Sequence, residues 1–384
     1  MQRKEETIIV GGGMAGMFCA MKLKEAGYPF VLITDNLGGR VCYKEEFKMN
    51  FGAVFYFENY HNVKPILTPA TGLPLIQSVK QIMLHNSEKD YFPAFSFRML
   101  KNIFQLLKFK KFMKKFVKHY EVYKKDCEVM QVKDALKKNP FMNDLFYKSA
   151  PQLIEDLDIN DVCNDLVSKF VFGCTGSKVN SLTALDFCNC AQGLVMPIYQ
   201  FIFNEKLMKN TIGSVEFGTV VDVQKEDGEY HVTTKEGDTY SAKNLVMATP
   251  AGITKRLINL PKIRSASTLF AYLVKGKIKE KYAHHDIHCF SDTIPIIFIA
   301  NRKNNSEYEV FSNAQLDLDK YFDSYQVLHR EDWAEALYTH PAIVLDQDMG
   351  NNLYMAGDHN GLGMEPAAIS GIYAANKILG RAKS

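Results

Sequence analysis

This chain of 384 residues has little of what would make its class obvious. Charge imbalance is absent: 46 basic and 43 acidic side chains leave a formal net charge of +3, too small to argue for a nucleic-acid partner. No run of about 18 uncharged apolar residues would span a bilayer, and the opening stretch lacks the charged-then-apolar order of a secretory signal. Eight cysteines are scattered rather than patterned, which excludes a disulfide scaffold and implies reduced thiols in a cytoplasmic compartment. Cys188 and Cys190 lack the two-residue spacing of a redox pair and read as buried thiols. His284, His285, His288 and Cys289 have no spacing that aims them at one ion, so no metal is expected. Repeats and low-complexity tracts are missing too. What remains is a globular chain, rich in Phe (26) and Tyr (19), long enough for two intertwined domains rather than one core.

The informative signal is glycine. Thr7 to Val10 is an apolar, β-branched run suited to a buried parallel strand, and Met17 to Ala26 carries good helix formers. Between them Gly11, Gly13 and Gly16 stand as G-x-G-x-x-G, with Met14 and Ala15 opening the helix. Gly11 allows the tight turn, Gly13 lets a pyrophosphate approach the backbone, and Gly16 lets helix and strand pack closely. A second strand, Phe30 to Ile33, ends in Thr34-Asp35, where a dinucleotide site places its ribose-binding acid. Thr34 holds the usual position of that acid and Asp35 stands one place late, so a hydroxyl replaces a charged acceptor.

Gly38-Gly39-Arg40 comes directly after, and near the end stand Asn352 to Ala356, Gly357-Asp358, and Gly361 to Pro366. On these segments the chain resembles the flavin-containing amine oxidase superfamily, which also includes phytoene-type desaturases, protoporphyrinogen oxidases and, more distantly, UDP-galactopyranose mutase. The resemblance implies FAD as cofactor. It places Gly38, Gly39 and Arg40 along the FAD pyrophosphate, Gly52 and Ala53 at a turn approaching the flavin, and the backbone of Val220 at the adenine. Asp358, after Gly357, would meet the ribityl chain and phosphate. His359, beside it, would line the phosphate region. The amides of Met364 and Glu365 would meet the pyrimidine end of the flavin, where a helix N-terminus stabilises negative charge.

The implied fold is α/β: a Rossmann-like FAD-binding domain with a discontinuous, interleaved α+β substrate domain. The boundaries read from the order of segments assign 1–88, 205–265 and 335–384 to the FAD-binding domain, and 89–204 and 266–334 to the substrate domain. Val215 to Val223 reads as one strand of a hairpin turning at Asp227-Gly228 and returning through Tyr230 to Thr234. Residues 90–200 read as mostly helical, with strands at Ser267 to Val274 and Ile296 to Ile299. From Phe97 to Lys125, apolar residues at helical spacing alternate with lysines. That pattern fits either a core-facing helix with a solvated face or peripheral contact with an anionic membrane.

Departures from the family pattern bear on activity. Amine oxidases of the family keep a lysine in the strand matching Ala266 to Tyr272, and this chain has none there. They place an aromatic residue where Gly363 stands, which implies open space over the flavin. No cysteine comes after Cys289 to bind flavin covalently. These gaps point away from amine oxidation and toward an FAD-dependent oxidoreductase that moves hydride from an apolar or cyclic small molecule to flavin N5. Amine oxidation, or a non-redox mutase or isomerase, stands as the alternative. Trp333, Tyr338, His340 and Gly363 are the residues expected to line the catalytic side.

Overall fold

The computed structural model describes residues 2–260, 262–303 and 306–382. Strand β1 (Gln2–Val10) leads into helix α1 (Met14–Glu25) and the parallel strand β2 (Val31–Thr34). All of β2 and residues Thr7 to Val10 of β1 are buried, because the sheet is covered on both faces. Residues alternate between those faces. Ile9, Leu32 and Val246 pack toward α1 and the C-terminal helix, while Ile8, Val10, Val31, Ile33, Leu245 and Met247 pack on the other side.

That other side is covered by the hairpin. Strands β3 (Val215–Phe217), β4 (Val220–Glu226), β5 (Glu229–Thr234) and β6 (Thr239–Met247) complete the sheet in the order β3-β2-β1-β6-β5-β4. Leu353–Met355 adds in parallel to Leu245–Met247, beyond the stretch of β6 that β5 occupies. The single strand expected over Val215 to Val223 is therefore two. Its first part pairs with β2, and only two residues later the chain starts the hairpin. The hairpin folds back so that Tyr230, Val232 and Tyr240 pack on Ile8, Val10, Val31 and Ile33. Asp227 and Gly228, at φ 48° and 83°, make the tight turn that their sequence calls for.

The segments between are helical, then β. Helix α2 (Ile103–Cys127) buries a stripe of Phe109, Met113, Phe116, Tyr120 and Tyr123, and helices α3 (Ser168–Thr175) and α4 (Ala184–Ala191) pack on one another nearby. The single helix expected over 97–125 breaks at Asn102, whose side-chain amide donates to the Asp165 carboxylate at 3.0 Å. Strands β7 (Ser265–Ile278) and β8 (Phe322–His340) form the long antiparallel edge of a second sheet, which continues through Glu307–Ser312, Ile296–Asn301, Ile287–Phe290, Ile82–His85 and Tyr91–Pro93. Ile82–His85, expected in the first domain, pairs with Ile287–Phe290 of the second sheet, and β8 crosses position 334/335 without interruption. Helix α5 (Met364–Ile378) then returns to pack against α1.

Where Ile82–His85 joins the second sheet, His85 and His288 are buried and hydrogen-bonded to each other at 2.9 Å. His288 Nε2 donates to the Tyr282 carbonyl at 3.0 Å, so in neutral form its Nδ1 is the acceptor and His85 supplies the proton. A second proton would set N–H against N–H. Burial, and for His85 also the neighbouring His288, push these groups down to about 3 for His85 and about 4 for His288. Between those values and the ordinary histidine value the unfolded chain binds more protons than the folded one. Stability is therefore expected to be full above neutral pH and to fall as pH drops toward 4, by roughly 2 kcal/mol per histidine at pH 5. Urea midpoints measured from pH 8 to pH 4.5 check this, and a flat profile would contradict it.

Candidate active site

The glycine turn is built as its spacing implies. Gly11 sits at φ 109°, and a Cβ on Gly16 would lie 1.8 Å from the Gly11 carbonyl oxygen, so only hydrogen permits the start of α1 to lie this close to the end of β1. At Gly13, by contrast, an added Cβ would meet no protein atom within 4 Å. The Gly38 amide donates to the Gly12 carbonyl at 2.8 Å, so the G-G-R turn is stitched directly to the glycine turn. Thr34 faces inward: its hydroxyl accepts from the Gly12 amide at 2.8 Å and donates to the Asn36 carbonyl at 2.7 Å. Asp35 is exposed, and Val220 is half-buried at the start of β4.

Arg40 makes the central contact. Its two terminal nitrogens grip both carboxylate oxygens of Asp358, at 2.9 and 2.7 Å, and Nη1 also donates to the Ala336 carbonyl of β8 at 2.6 Å. The Asp358 side chain is almost fully buried, at 4 % exposure, whereas Arg40 keeps 28 %. Gly52 and Ala53 lie alongside, with the Ala53 amide donating to the Arg40 carbonyl at 2.9 Å.

A cavity joins these groups to the second sheet. It holds about 1230 Å³ of space free of protein atoms, open solvent included. Gly13, Met14, Gly38, Arg40, Gly52, Ala53, Asp358, Gly363 and Met364 are among its lining residues. Gly11, Ala15, Gly16, Thr34, Asp35, Gly39, Val220, Gly357 and Glu365 stand outside the lining, behind or beyond it. Both α1 and α5 begin at this wall, since Met14 and Met364 are the first residues of their helices. Much of the remaining lining is apolar: Phe51, Phe55, Phe57, Leu269, Ile297, Phe311, Trp333 and Leu337. No lysine, histidine or glutamate is among the lining residues, and the one carboxylate, Asp358, is held by Arg40.

The expected catalytic residues separate. Trp333 lines the cavity and is fixed by its indole N–H donating to the Phe51 carbonyl at 2.7 Å. Tyr338 does not line it; it is buried elsewhere, its hydroxyl accepting from the Gly252 amide and donating to Glu335, both at 2.8 Å. His340, two residues on at the end of β8, is exposed and is not among the cavity-lining residues either.

The space above Gly363 is not open. With φ at 106°, its missing side chain would point at Tyr60, whose hydroxyl oxygen stands 3.0 Å from the position of a Cβ. An aromatic ring thus reaches the cavity from a different segment. Tyr60 packs edge-on to Phe57 at 5.3 Å, and burial raises its phenol well above the usual value. Its loop is held by Glu365: one carboxylate oxygen accepts from the Asn62 amide at 2.9 Å and the other from the Val63 amide at 3.0 Å. Nothing local in the sequence near Tyr60 marks it, since its role depends on a contact made by residue 365. His359, expected along the phosphate region, is buried with neither ring nitrogen hydrogen-bonded among the described residues. Burial pushes it down to about 4, so it is neutral.

No protein-family model matches the sequence, and no curated protein matches it. Solved structures do. A putrescine oxidase bound to putrescine is 13% identical over 99% of this chain and 100% of its own, with a TM-score of 0.67. A CLA-producing fatty acid isomerase from P. acnes is 13% identical, covering 98% of each chain at a TM-score of 0.67. Cyclohexylamine oxidase from Brevibacterium oxydans IH-35A is 13% identical, covering 97% of each at 0.62. The chain has the amine-oxidase fold. Within that fold the Rossmann-like sheet carries the glycine turn, and the second sheet supplies the apolar wall.

Removing Arg40 strands a carboxylate that water does not reach, whereas removing Asp358 leaves a guanidinium that water does reach. Arg40→Ala is therefore expected to lose about 3 kcal/mol or more, Asp358→Ala less, and the double variant less than the sum. Chemical denaturation of the four proteins checks this order, and equal losses would contradict it.

Proposed function

We propose that this protein is an FAD-dependent oxidoreductase that takes hydride from an apolar or cyclic small molecule, in the manner of a desaturase or oxidase. One observation carries the reading: a single cavity runs from two helix N-termini and Arg40 to a wall of Phe, Leu, Ile and Trp side chains. The residues fit the cofactor. Open space at Gly13 and Gly38, beside the first turn of α1, suits a pyrophosphate, with Arg40 as its cation. Bound there, FAD would supply the hydride acceptor. The chain's own part is positioning. The N-terminus of α5 favours negative charge at the pyrimidine end, Trp333 and Tyr60 flank the substrate, and the apolar wall excludes water. An amine substrate would find no free carboxylate in the wall.

The amine-oxidase fold also hosts an isomerase, and an apolar wall suits that reading equally. Anaerobic mixing separates the two. An oxidoreductase substrate bleaches the flavin and air restores it, an isomerase substrate is converted without lasting bleaching, and rapid bleaching by polyamines or aromatic monoamines would indicate an amine oxidase instead. The cofactor is tested by Gly13→Val, whose Cβ would meet no protein atom within 4 Å. The variant is expected to fold normally and to purify without the flavin absorbance of the parent. Undiminished flavin in a folded Gly13→Val protein would overturn the assignment.

The same reading extends to where the substrate resides. Along one face, Phe97 (85 % exposed), Leu100, Phe104 (76 %) and Leu107 project outward, and Lys101, Lys108, Lys110 and Lys111 surround them. Only from Phe109 onward does the helix turn its apolar stripe into the core. Among the described residues no helix is long and apolar enough to cross a membrane. We infer peripheral contact of residues 97–111 with an anionic lipid surface. The protein is expected to sediment with vesicles containing phosphatidylserine at low salt, and Phe97→Ser with Phe104→Ser to remain in the supernatant. Equal sedimentation of both would exclude this face.

A further inference from the structure

The strong hydrogen-bonding side chains of the cavity wall are already engaged, with one exception. Arg40 and Asp358 hold each other. The Trp333 indole N–H donates to the Phe51 carbonyl. Asn189, on α4, donates from its side-chain amide to the Leu362 carbonyl at 2.7 Å and accepts from Gln192 Nε2 at 3.0 Å. The thiols of Cys174 and Cys190 are weak donors. The exception is Tyr60, which carries the only hydroxyl group among the described residues of the lining. That hydroxyl makes no hydrogen bond among the described residues, and it is not sealed away as the unpartnered Tyr272 hydroxyl is, so it opens onto the cavity. Its place is well defined. The oxygen stands 3.0 Å from the position of a Cβ on Gly363, directly before the first residue of α5. Phe57 packs edge-on to the ring at 5.3 Å, and Glu365 holds the loop behind it through the Asn62 and Val63 amides.

An apolar wall holds an apolar molecule without orienting it, and a few placed polar groups supply the orientation. A phenol is a better donor than acceptor, because its oxygen lone pair is delocalised into the ring. Burial and the nearby Glu365 raise the Tyr60 phenol well above its ordinary value, so it keeps its proton at neutral and mildly alkaline pH. We propose that the Tyr60 hydroxyl donates a hydrogen bond to the substrate, and that the substrate is a neutral, largely apolar molecule carrying a carbonyl oxygen. The inference rests on the proposed function and narrows its substrate class. Tyr60 is a specificity-determining residue here: it takes the oxygen, the wall takes the hydrocarbon, and the proton of Tyr60 is not transferred. With the oxygen fixed beside Gly363, the carbon next to it is held near the start of α5, where the flavin is proposed to lie. A hydrocarbon of the same shape would leave the donor unpaired, and an ammonium group has no lone pair to accept from it. A substrate hydroxyl would bring a proton of its own, and the lining acceptors Asp358 and Asn189 are already engaged.

The test uses the flavin-loaded protein and two probes of one shape: acetophenone, which has a carbonyl oxygen, and α-methylstyrene, in which a methylene group replaces it. Binding is read from the change in flavin absorbance. Tyr60→Phe removes the hydroxyl and keeps the ring beside Gly363. Wild type is expected to bind acetophenone about tenfold more tightly than α-methylstyrene, and Tyr60→Phe to lose that factor for acetophenone while binding α-methylstyrene unchanged. The infrared carbonyl stretch of bound acetophenone is expected at lower frequency in wild type than in Tyr60→Phe, a difference that a purely structural role for the ring would not produce. Equal acetophenone affinity in the two proteins, an unshifted carbonyl stretch, the same loss for both probes, tighter Tyr60-dependent binding of benzylamine, or no binding of either probe would each overturn the proposal. If the protein holds no FAD, the functional reading fails separately. The fluorescence of Trp333, the only tryptophan of the chain and a lining residue, then reports binding of the same probes. Equal acetophenone affinities of wild type and Tyr60→Phe in that measurement would overturn the role of Tyr60 itself.

Discussion

The bidentate contact between Arg40 and Asp358 holds the candidate site together. It joins residues 318 positions apart, and through the Ala336 carbonyl it reaches β8 as well. Three segments with no sequence proximity thus meet at one guanidinium, whose planar fork matches a carboxylate in a way that lysine would not. Both partners line the cavity, Asp358 nearly sealed from water and Arg40 partly open to it. The same contact clamps the Rossmann-like sheet to the long antiparallel edge of the second sheet, and so defines the volume between them.

A second carboxylate, outside the cavity lining, also ties distant segments together. Glu365 accepts from the loop amides of Asn62 and Val63, and so fixes Tyr60 over Gly363. Where relatives of the suggested family carry an aromatic side chain in the sequence next to the flavin-end methionine, this chain brings one in from a distant loop. The position stays aromatic although the residue there is glycine. Among the described residues the cavity lining holds no lysine, and its one carboxylate is held by Arg40.

Several parts were legible in the sequence because their physics is local. Gly11, Gly13 and Gly16 specify their turn through sterics within a few residues, Asp227-Gly228 specifies a hairpin, and the apolar runs at Thr7 to Val10 and Leu353 to Ala356 specify buried strands. The 97–125 segment was half legible. Its periodicity is real, but the break at Asn102 and the exposed face before Phe109 depend on Asp165 and on where the core ends. The pairing of Ile82–His85 was not legible because β-pairing is non-local: nothing within that segment says that its partner is Ile287–Phe290.

The sequence by itself determined that a tight glycine turn exists, that a G-G-R turn succeeds it, and which strands and helices flank the two, since these depend on backbone sterics and short-range periodicity. Only the tertiary structure decided which side chains face one another across the cavity. It put Trp333 in the wall, left Tyr338 and His340 out of it, and filled the space over Gly363 with Tyr60. Those outcomes depend on strand phase and on hydrogen bonds between segments far apart in the chain, and no local pattern encodes them.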